Sequence, residues 1–357
     1  MKITKKSRVL ALLLALLLVA ALAACGNGGD DAATPAPADT PAPADPPAGG
    51  GDDDEVFTIA TVVKLTGVAW FDRMEEGVRR FAADTGHDAF QTGHTTADPA
   101  EQVRVIEDLI AQGVDAIAVV PNSTPALEAV LGRAMDQGII VVAHEATDIV
   151  NAHANIEAFT NEAYGARLGE ALVDMMGGEG EYTTFVGSLT ATSHNEWVDG
   201  GIAYIEANAP DMVLVAGRNE SQEDSVVAYE RTLELFMAYP DLVGFQGSAS
   251  TDVIGIGRAV EEMGREDTTF VVGTSLVSMA EQFLETGAID MIGFWDPAEA
   301  GYAMNEIAVH LLQGGELYEG MNLRAVGYQN LTLIDDMFLF GNAYVFVTKD
   351  NMHEWDF

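Results

Sequence analysis

From residue 56 onward, short apolar runs of strand length alternate with amphipathic stretches of helix length, and the rhythm starts again after Gly180. This alternation constrains the fold more than any other feature of the chain. The first set predicts strands over 56–63, 87–91, 115–120 and 139–143, with helices over 71–85, 99–112 and 125–137. Runs such as Ala116-Ile117-Ala118-Val119-Val120 carry no polar face, as expected of a strand buried on both sides. Asp98-Pro99 and Thr124-Pro125 open two of the helices, and Gly86, Gly113 and Gly138 close three. The second set predicts strands over 182–186, 212–216, 242–246, 270–272 and 289–294, and helices over 195–208, 225–239, 253–263, 277–286 and 297–312. Strand–helix alternation of this kind makes a parallel sheet covered by helices. Two sets in series predict an α/β protein of two doubly wound parallel-sheet lobes.

The chain opens with a different chemistry. Lys2, Lys5, Lys6 and Arg8 precede an unbroken apolar run over 9–22, followed by Ala23-Ala24-Cys25-Gly26. A basic start, a short apolar core and small residues at a cut site describe a secretory signal, shorter than a stable membrane span. Cys25 is the only cysteine in the chain, and its place directly after that site resembles the lipobox of bacterial lipoproteins, whose thiol receives a lipid. The expectation is a signal peptide over 1–24 and an extracytoplasmic protein held at the membrane by lipidated Cys25. Residues 25–54 are almost entirely Gly, Ala, Asp, Pro and Thr, a composition with little to bury, and read as a disordered spacer.

The formal net charge is −39, and four of the basic residues lie within the first eight positions. Nucleic acid and anionic lipid surfaces both demand basic patches, so neither is expected as a partner. The catalytic and metal-binding motifs are missing too. No Gly-x-Ser-x-Gly elbow occurs, no His-Glu-x-x-His spacing is present, and Gly255-Ile256-Gly257 falls within a predicted helix and not between a strand and a helix. The run Asp52-Asp53-Asp54-Glu55 lacks the spacing of a calcium loop. Neither a metal, a cofactor nor an enzymatic activity is therefore expected.

In open parallel sheets a ligand lies beyond the carboxyl ends of the strands. The residues after each predicted strand are therefore the candidates: Lys64, Trp70 and Phe71; Thr92 and His94; Asn122 and Ser123; His144 and Glu145. The second lobe supplies Ser193, His194 and Asn195, then Arg218, Ser248-Ala249-Ser250, Ser275, and Trp295-Asp296. His87 and His94 read as surface or packing residues. Aromatic, hydroxyl, amide and singly charged groups together suit a small polyhydroxylated ligand, with rings covering its C–H faces and polar groups pairing its hydroxyls. Only Lys64 and Lys349 remain as lysines beyond the first six residues. A lysine ending an apolar strand must find a partner or shift its pKa; Glu145 and Asp296 are the matching anions.

The stretch Val63-Lys64-Leu65-Thr66-Gly67-Val68-Ala69-Trp70-Phe71 resembles the first strand and loop of the autoinducer-2 and rhamnose receptors, within the ribose-binding-like periplasmic solute-binding proteins of ABC importers. Gln112-Gly113-Val114-Asp115-Ala116-Ile117, Asn195-Glu196-Trp197, Gly293-Phe294-Trp295-Asp296 and the chain end from Lys349 to Phe357 extend the likeness from residue 55 onward. The resemblance implies a type I periplasmic binding protein fold with a three-segment hinge. Its lobes fall at 55–145 plus 297–335 and at 146–296 plus 336–357. It implies a monomer that clamps one small sugar or sugar-like ligand (a pentose, a rhamnose-type deoxyhexose or autoinducer-2) and passes it to an ABC permease. The implied contacts are Lys64, Trp70, Phe71, Glu145, Ser193, His194, Gly247, Ala249, Trp295 and Asp296, to which the strand-end reading adds Asn195 and Ser275. Lys64 is expected to donate to ligand oxygens, Glu145 and Asp296 to accept from hydroxyls, and Trp70, Phe71 and Trp295 to stack. The receptor pattern has Asp and Gln at positions 193 and 194, an Asp at 145 and a Pro at 247, so the ligand is open within that class. Two other readings use the same clamp: a ligand-sensing subunit for a membrane chemoreceptor or sensor kinase, and a surface carbohydrate-active enzyme using Glu145 and Asp296.

Overall fold

A computed structural model describes residues 55–357. The expected signal segment, Cys25 and the spacer over 25–54 lie outside the described residues. Strands β1 (Thr58–Val62), β2 (Asp88–Thr92), β3 (Ala116–Val119), β4 (Ile140–Ala143) and β5 (Ala154–Glu157) alternate with helices α1 (Ala69–Thr85), α2 (Pro99–Gln112) and α3 (Thr124–Asp136), save that a loop joins β4 to β5. Then follow α4 (Asn161–Met176), β6 (Glu179–Val186), α5 (Thr192–Asn208), β7 (Asp211–Glu220), α6 (Ser225–Ala238), β8 (Leu242–Gly247), α7 (Asp252–Met263), β9 (Phe270–Thr274), α8 (Val277–Thr286), β10 (Met291–Phe294) and α9 (Pro297–Leu312). Three short strands close the chain: β11 (Thr332–Ile334), β12 (Phe338–Phe340) and β13 (Val345–Val347).

These strands form two sheets, ordered β11-β12-β5-β4-β3-β1-β2 and β13-β10-β9-β8-β6-β7. Each is parallel except at one edge, where β11 runs antiparallel to β12 and β13 antiparallel to β10. The two-lobed α/β architecture is as the alternation predicts. The lobe boundaries lie later than expected, because β5 pairs with β4 and β12 pairs with β5 in the first sheet. The chain therefore crosses between β5 and α4, between β10 and α9, and between β12 and β13, not at 145/146 and 335/336.

Local chemistry accounts for the element ends. Asp98, Asp224 and Asp296 each accept a hydrogen bond from the backbone N–H two residues on, capping α2, α6 and α9. Helices α2 and α3 cover one face of the first sheet, where Ile106, Leu109, Leu127 and Leu131 pack on Val62, Ile117, Val119 and Val141. On its other face α1 and α9 approach so closely that a Cβ on Gly77 would collide with the Ala298 carbonyl. In the second lobe, α4 and α5 meet in the same manner, with Gly165 against the Trp197 carbonyl. The α1/α9 core continues into the second lobe through Trp295, Phe159 and Trp197. Among the described residues no helix is long and apolar enough to cross a membrane.

Candidate functional site

A cavity of about 350 Å³, part of it open to solvent, lies beyond the carboxyl ends of strands from both sheets. Lys64 reaches it from the end of β1, Glu145 from the end of β4, His194 from the first turn of α5, and Ser248 from the end of β8. Trp70, Phe71 and Trp295 line it as well.

The polar centre is Lys64, which is 3% exposed. Its Nζ donates to Glu145 Oε2 at 2.6 Å and stands 3.3 Å from His194 Nε2 in the other lobe. A second carboxylate, Glu223, stands 3.9 Å from the same nitrogen. Burial alone lowers the Lys64 pKa, but Glu145, Glu223 and Glu157 more than offset it, so the ammonium is held above its ordinary value. His194 Nδ1 accepts from the Gly187 N–H at 3.1 Å, which puts the imidazole proton on Nε2. Burial and then Lys64 lower its pKa well below the usual value, so the ring is neutral. The ammonium and the Nε2–H thus stand 3.3 Å apart as two donors on the cavity wall. Ser193 Oγ donates to Glu145 Oε2 at 3.3 Å. Glu145 itself adopts φ 58°, a left-handed conformation that favours glycine. Glu157 holds that turn: its Oε1 accepts from Ala146 N at 2.9 Å and from Asn155 Nδ2 at 2.8 Å.

The other wall is aromatic. Trp70 and Trp295 meet edge to face with centroids 4.7 Å apart, and Trp197 packs on Trp295 at 5.5 Å. His144 fixes the Trp295 indole, accepting its Nε1–H at 3.1 Å while Nδ1 donates to the Ile156 carbonyl at 2.5 Å. Burial keeps His144 neutral, which this two-sided bonding requires. His144 therefore positions an aromatic wall residue and does not face the cavity.

Several expected residues lie elsewhere. Asp296 is engaged by Arg73, which donates to both carboxylate oxygens at 2.9 and 2.7 Å, and by the Ala298 N–H. Asn195 ties down the 188–191 loop, donating to the Ala191 carbonyl at 2.7 Å and accepting from Arg218. Gly247 and Ala249 flank Ser248 in a turn closed by Asp252, whose Oδ2 accepts from the Ser248 and Ala249 N–H groups. Ser275 donates to the Ser250 carbonyl at 2.9 Å, while its neighbour Thr274 lines the cavity. Arg218 pairs with Asp199 outside the cleft.

Glu223 was missed for a definable reason. The sequence places the end of the seventh strand at 216, whereas Ala216 and Gly217 form a bulge with φ 59° and 56° and β7 continues to Glu220. The residue beyond the true strand end is therefore Glu223, not Arg218. Trp197 was missed because it follows the first turn of α5, on the face turned back toward the cleft. Among the described residues no group of three or more His, Cys, Asp or Glu side chains is placed to hold a metal.

Two doubly wound lobes, three crossings and a cavity built from both sides define a cleft-binding protein. The comparisons agree: a family described as periplasmic binding protein domain matches residues 59–316, and the chain belongs to that family. The D-allose-binding periplasmic protein of Escherichia coli (strain K12) is 26% identical over 268 residues, covering 72% of this chain and 85% of that protein. The D-ribose/D-allose-binding protein of Pseudomonas aeruginosa is 26% identical over 65% of this chain and 74% of its own length. Among solved structures, LsrB from Clostridium saccharobutylicum in complex with AI-2 superposes with a TM-score of 0.78 at 22% identity, covering 84% of this chain and 100% of that one. An ABC transporter solute-binding protein from Clostridium phytofermentas with bound L-rhamnose gives 0.75 at 20% identity, covering 84% and 98%.

Proposed function

We propose that this protein is the extracytoplasmic substrate-binding component of an ABC transporter, capturing a small sugar or sugar-like molecule between its lobes and delivering it to a membrane permease. The observation that carries this reading is the cross-lobe cluster of Lys64, Glu145 and His194 facing a wall of Trp70 and Trp295 in one cavity. Two donors, a carboxylate and flat rings are the complement of a molecule with hydroxyls on its rim and C–H groups on its faces. In this reading Lys64 Nζ and His194 Nε2–H donate to ligand oxygens, Glu145 accepts from a hydroxyl, and Trp70, Phe71 and Trp295 cover the apolar face. A ligand bridging both lobes stabilises the closed arrangement through contacts that an open cleft cannot make. Each hydroxyl left unpaired costs about 1–3 kcal/mol, enough to separate close isomers.

The protein acts as a monomer, tethered to the membrane by lipid on Cys25 through the spacer over 25–54. Relatives named for allose and ribose binding, and structural neighbours holding AI-2 and L-rhamnose, support the ligand class. The test is thermal-shift screening against pentoses, deoxyhexoses and autoinducer-2, followed by calorimetry on each hit. At least one ligand is expected to raise the melting temperature and to lose its binding heat in Lys64→Ala. Folded protein that responds to none of these compounds and to no hexose, neutral or aminated, would overturn the proposal.

A further inference from the structure

We infer that Glu223 is a ligand-binding carboxylate and that it selects a ligand bearing a protonated amine, an amino sugar or aminopolyol in preference to a neutral sugar. This rests on the reading of the cleft as a sugar-type site and narrows the ligand class within it. The Glu223 side chain is 10% exposed and lines the cavity, 3.9 Å from Lys64 Nζ. It accepts no hydrogen bond from any described residue. His194 Nδ1, 3.9 Å from Glu223 Oε1, has no proton to give, since it already accepts from Gly187.

The backbone is arranged to bring this carboxylate in. Gln222 and Glu223 are consecutive non-glycine residues in the left-handed region, at φ 59° and 58°. Opposite them, a Cβ on Gly187 would collide with the Glu223 carboxylate. Strain at two residues serves a carboxylate that meets Lys64 only at 3.9 Å and accepts no hydrogen bond from a described residue, as expected where a ligand completes the contact.

Charge then narrows the choice. Lys64 is the one cation lining the cavity among the described residues, and Glu145 already holds it at 2.6 Å. A second carboxylate leaves a dry site with more anionic than cationic groups, a state that burial penalises. A ligand ammonium beside Glu223 restores the balance and supplies the missing donor. A uronate or sugar phosphate would add to the excess.

The test is calorimetry on the purified protein at about pH 6.5, where a sugar amine is protonated. Matched pairs are compared: D-glucosamine with D-glucose, and D-galactosamine with D-galactose. In at least one pair the amine should bind about tenfold or more tightly than its hydroxyl partner, and Glu223→Gln should abolish that preference. Neutral sugars binding as well as their amines in the unaltered protein would overturn the inference while leaving the sugar-binding reading in place. So would a preference that survives in folded Glu223→Gln. No binding by any sugar, aminated or neutral, would overturn both.

Discussion

Two ion pairs link strand ends to their surroundings, Lys64–Glu145 in the cleft and Arg73–Asp296 at the crossing into α9, and they are built on opposite plans. Arg73 grips both oxygens of Asp296, also bonds Glu76 at 2.7 Å, and lies over the Phe357 ring at 4.1 Å. Asp296 in turn caps α9. The strong hydrogen-bonding positions of that pair are filled, and its side chains remain 25% and 19% exposed. Lys64 and Glu145 are 3% and 4% exposed and joined by one short bond. The other groups near the ammonium are an imidazole N–H and a carboxylate at 3.9 Å. A charged pair kept this dry with so few protein partners is poor structural economy. It is good preparation for a ligand. The lesson is that satisfaction, more than charge or position after a strand, separates a binding group from a structural one.

The largest expected effect breaks the cleft pair. Lys64→Met leaves Glu145 buried without its cation, which costs about 3–5 kcal/mol of stability. It also removes a charged donor from the ligand, a loss of about 10- to 150-fold in affinity at roughly 1.5–3 kcal/mol per charge-assisted bond. Asp296→Ala removes a helix cap worth about 0.5–2 kcal/mol and a part-exposed ion pair worth about 0.2–1 kcal/mol. It should lower stability by those amounts and change affinity by less than about threefold. Urea titration and calorimetry on both variants give the comparison. If Asp296→Ala abolished binding heat in a protein of near-normal stability, the two pairs would not differ as described.

The contrast also explains what the sequence could reveal. Lys64, Trp70, Phe71, Glu145, His194 and Trp295 were legible because apolar strand runs mark their own ends, and ligand sites lie just beyond them. Asp296 satisfied the same rule, but its partner is Arg73, 223 residues away in the chain, and no local pattern announces such a pairing. Strand β5 was invisible because Asn155 and Glu157 interrupt its apolar run; both are buried and bonded to each other. The bulge at Ala216-Gly217 looked like a strand end and hid Glu223. The architecture follows from periodicity, whereas the site depends on long-range pairing.

The support behind Glu145 provides a smaller, pH-dependent test. Burial pushes the Glu157 carboxyl up to about 8, against hydrogen bonds from Asn155 and Ala146 that pull it back. Its folded pKa thus exceeds its ordinary value of 4.5. The folded chain keeps a proton that the unfolded chain releases, so this contribution is full below about pH 4.5 and is lost as pH rises through about 8. His144 and His194, both lowered, contribute fully above about pH 6.5 and lose their contribution as pH falls below it. Asp252, pushed up to about 7 chiefly by burial, behaves as Glu157 does, and its contribution is lost as pH rises through about 7. Between about pH 7 and 8 Glu157 should therefore still lower stability as pH rises, at no more than about 1.4 kcal/mol per pH unit. Glu157→Gln keeps the acceptor oxygen for Ala146 and should flatten the dependence of denaturation midpoint on pH in that window. An unchanged slope would mean that Glu157 is not the buried proton carrier behind the site.

The smallest effect concerns the cleft rim, where the lobes touch without the ligand-facing groups. Thr192 Oγ1, at the start of α5, donates to Asp148 Oδ1 at 2.7 Å and lies 3.3 Å from Thr124 Oγ1 across the cleft. Thr147 makes a parallel contact, donating to Glu196 Oε1 at 2.6 Å. These bonds exist only when the lobes meet, so they stabilise closure without selecting what is enclosed. A typical bond of this kind contributes about 0.5–1.5 kcal/mol, and an exposed one lies at the lower end because water replaces it. Thr192→Val should therefore weaken every ligand by the same factor of about two to three, leaving their rank order and the unliganded unfolding midpoint unchanged. A shift in rank order would place Thr192 among the ligand contacts and move the boundary between cleft and rim. A uniform loss would assign closure to the rim hydroxyls and selectivity to the buried cluster around Lys64.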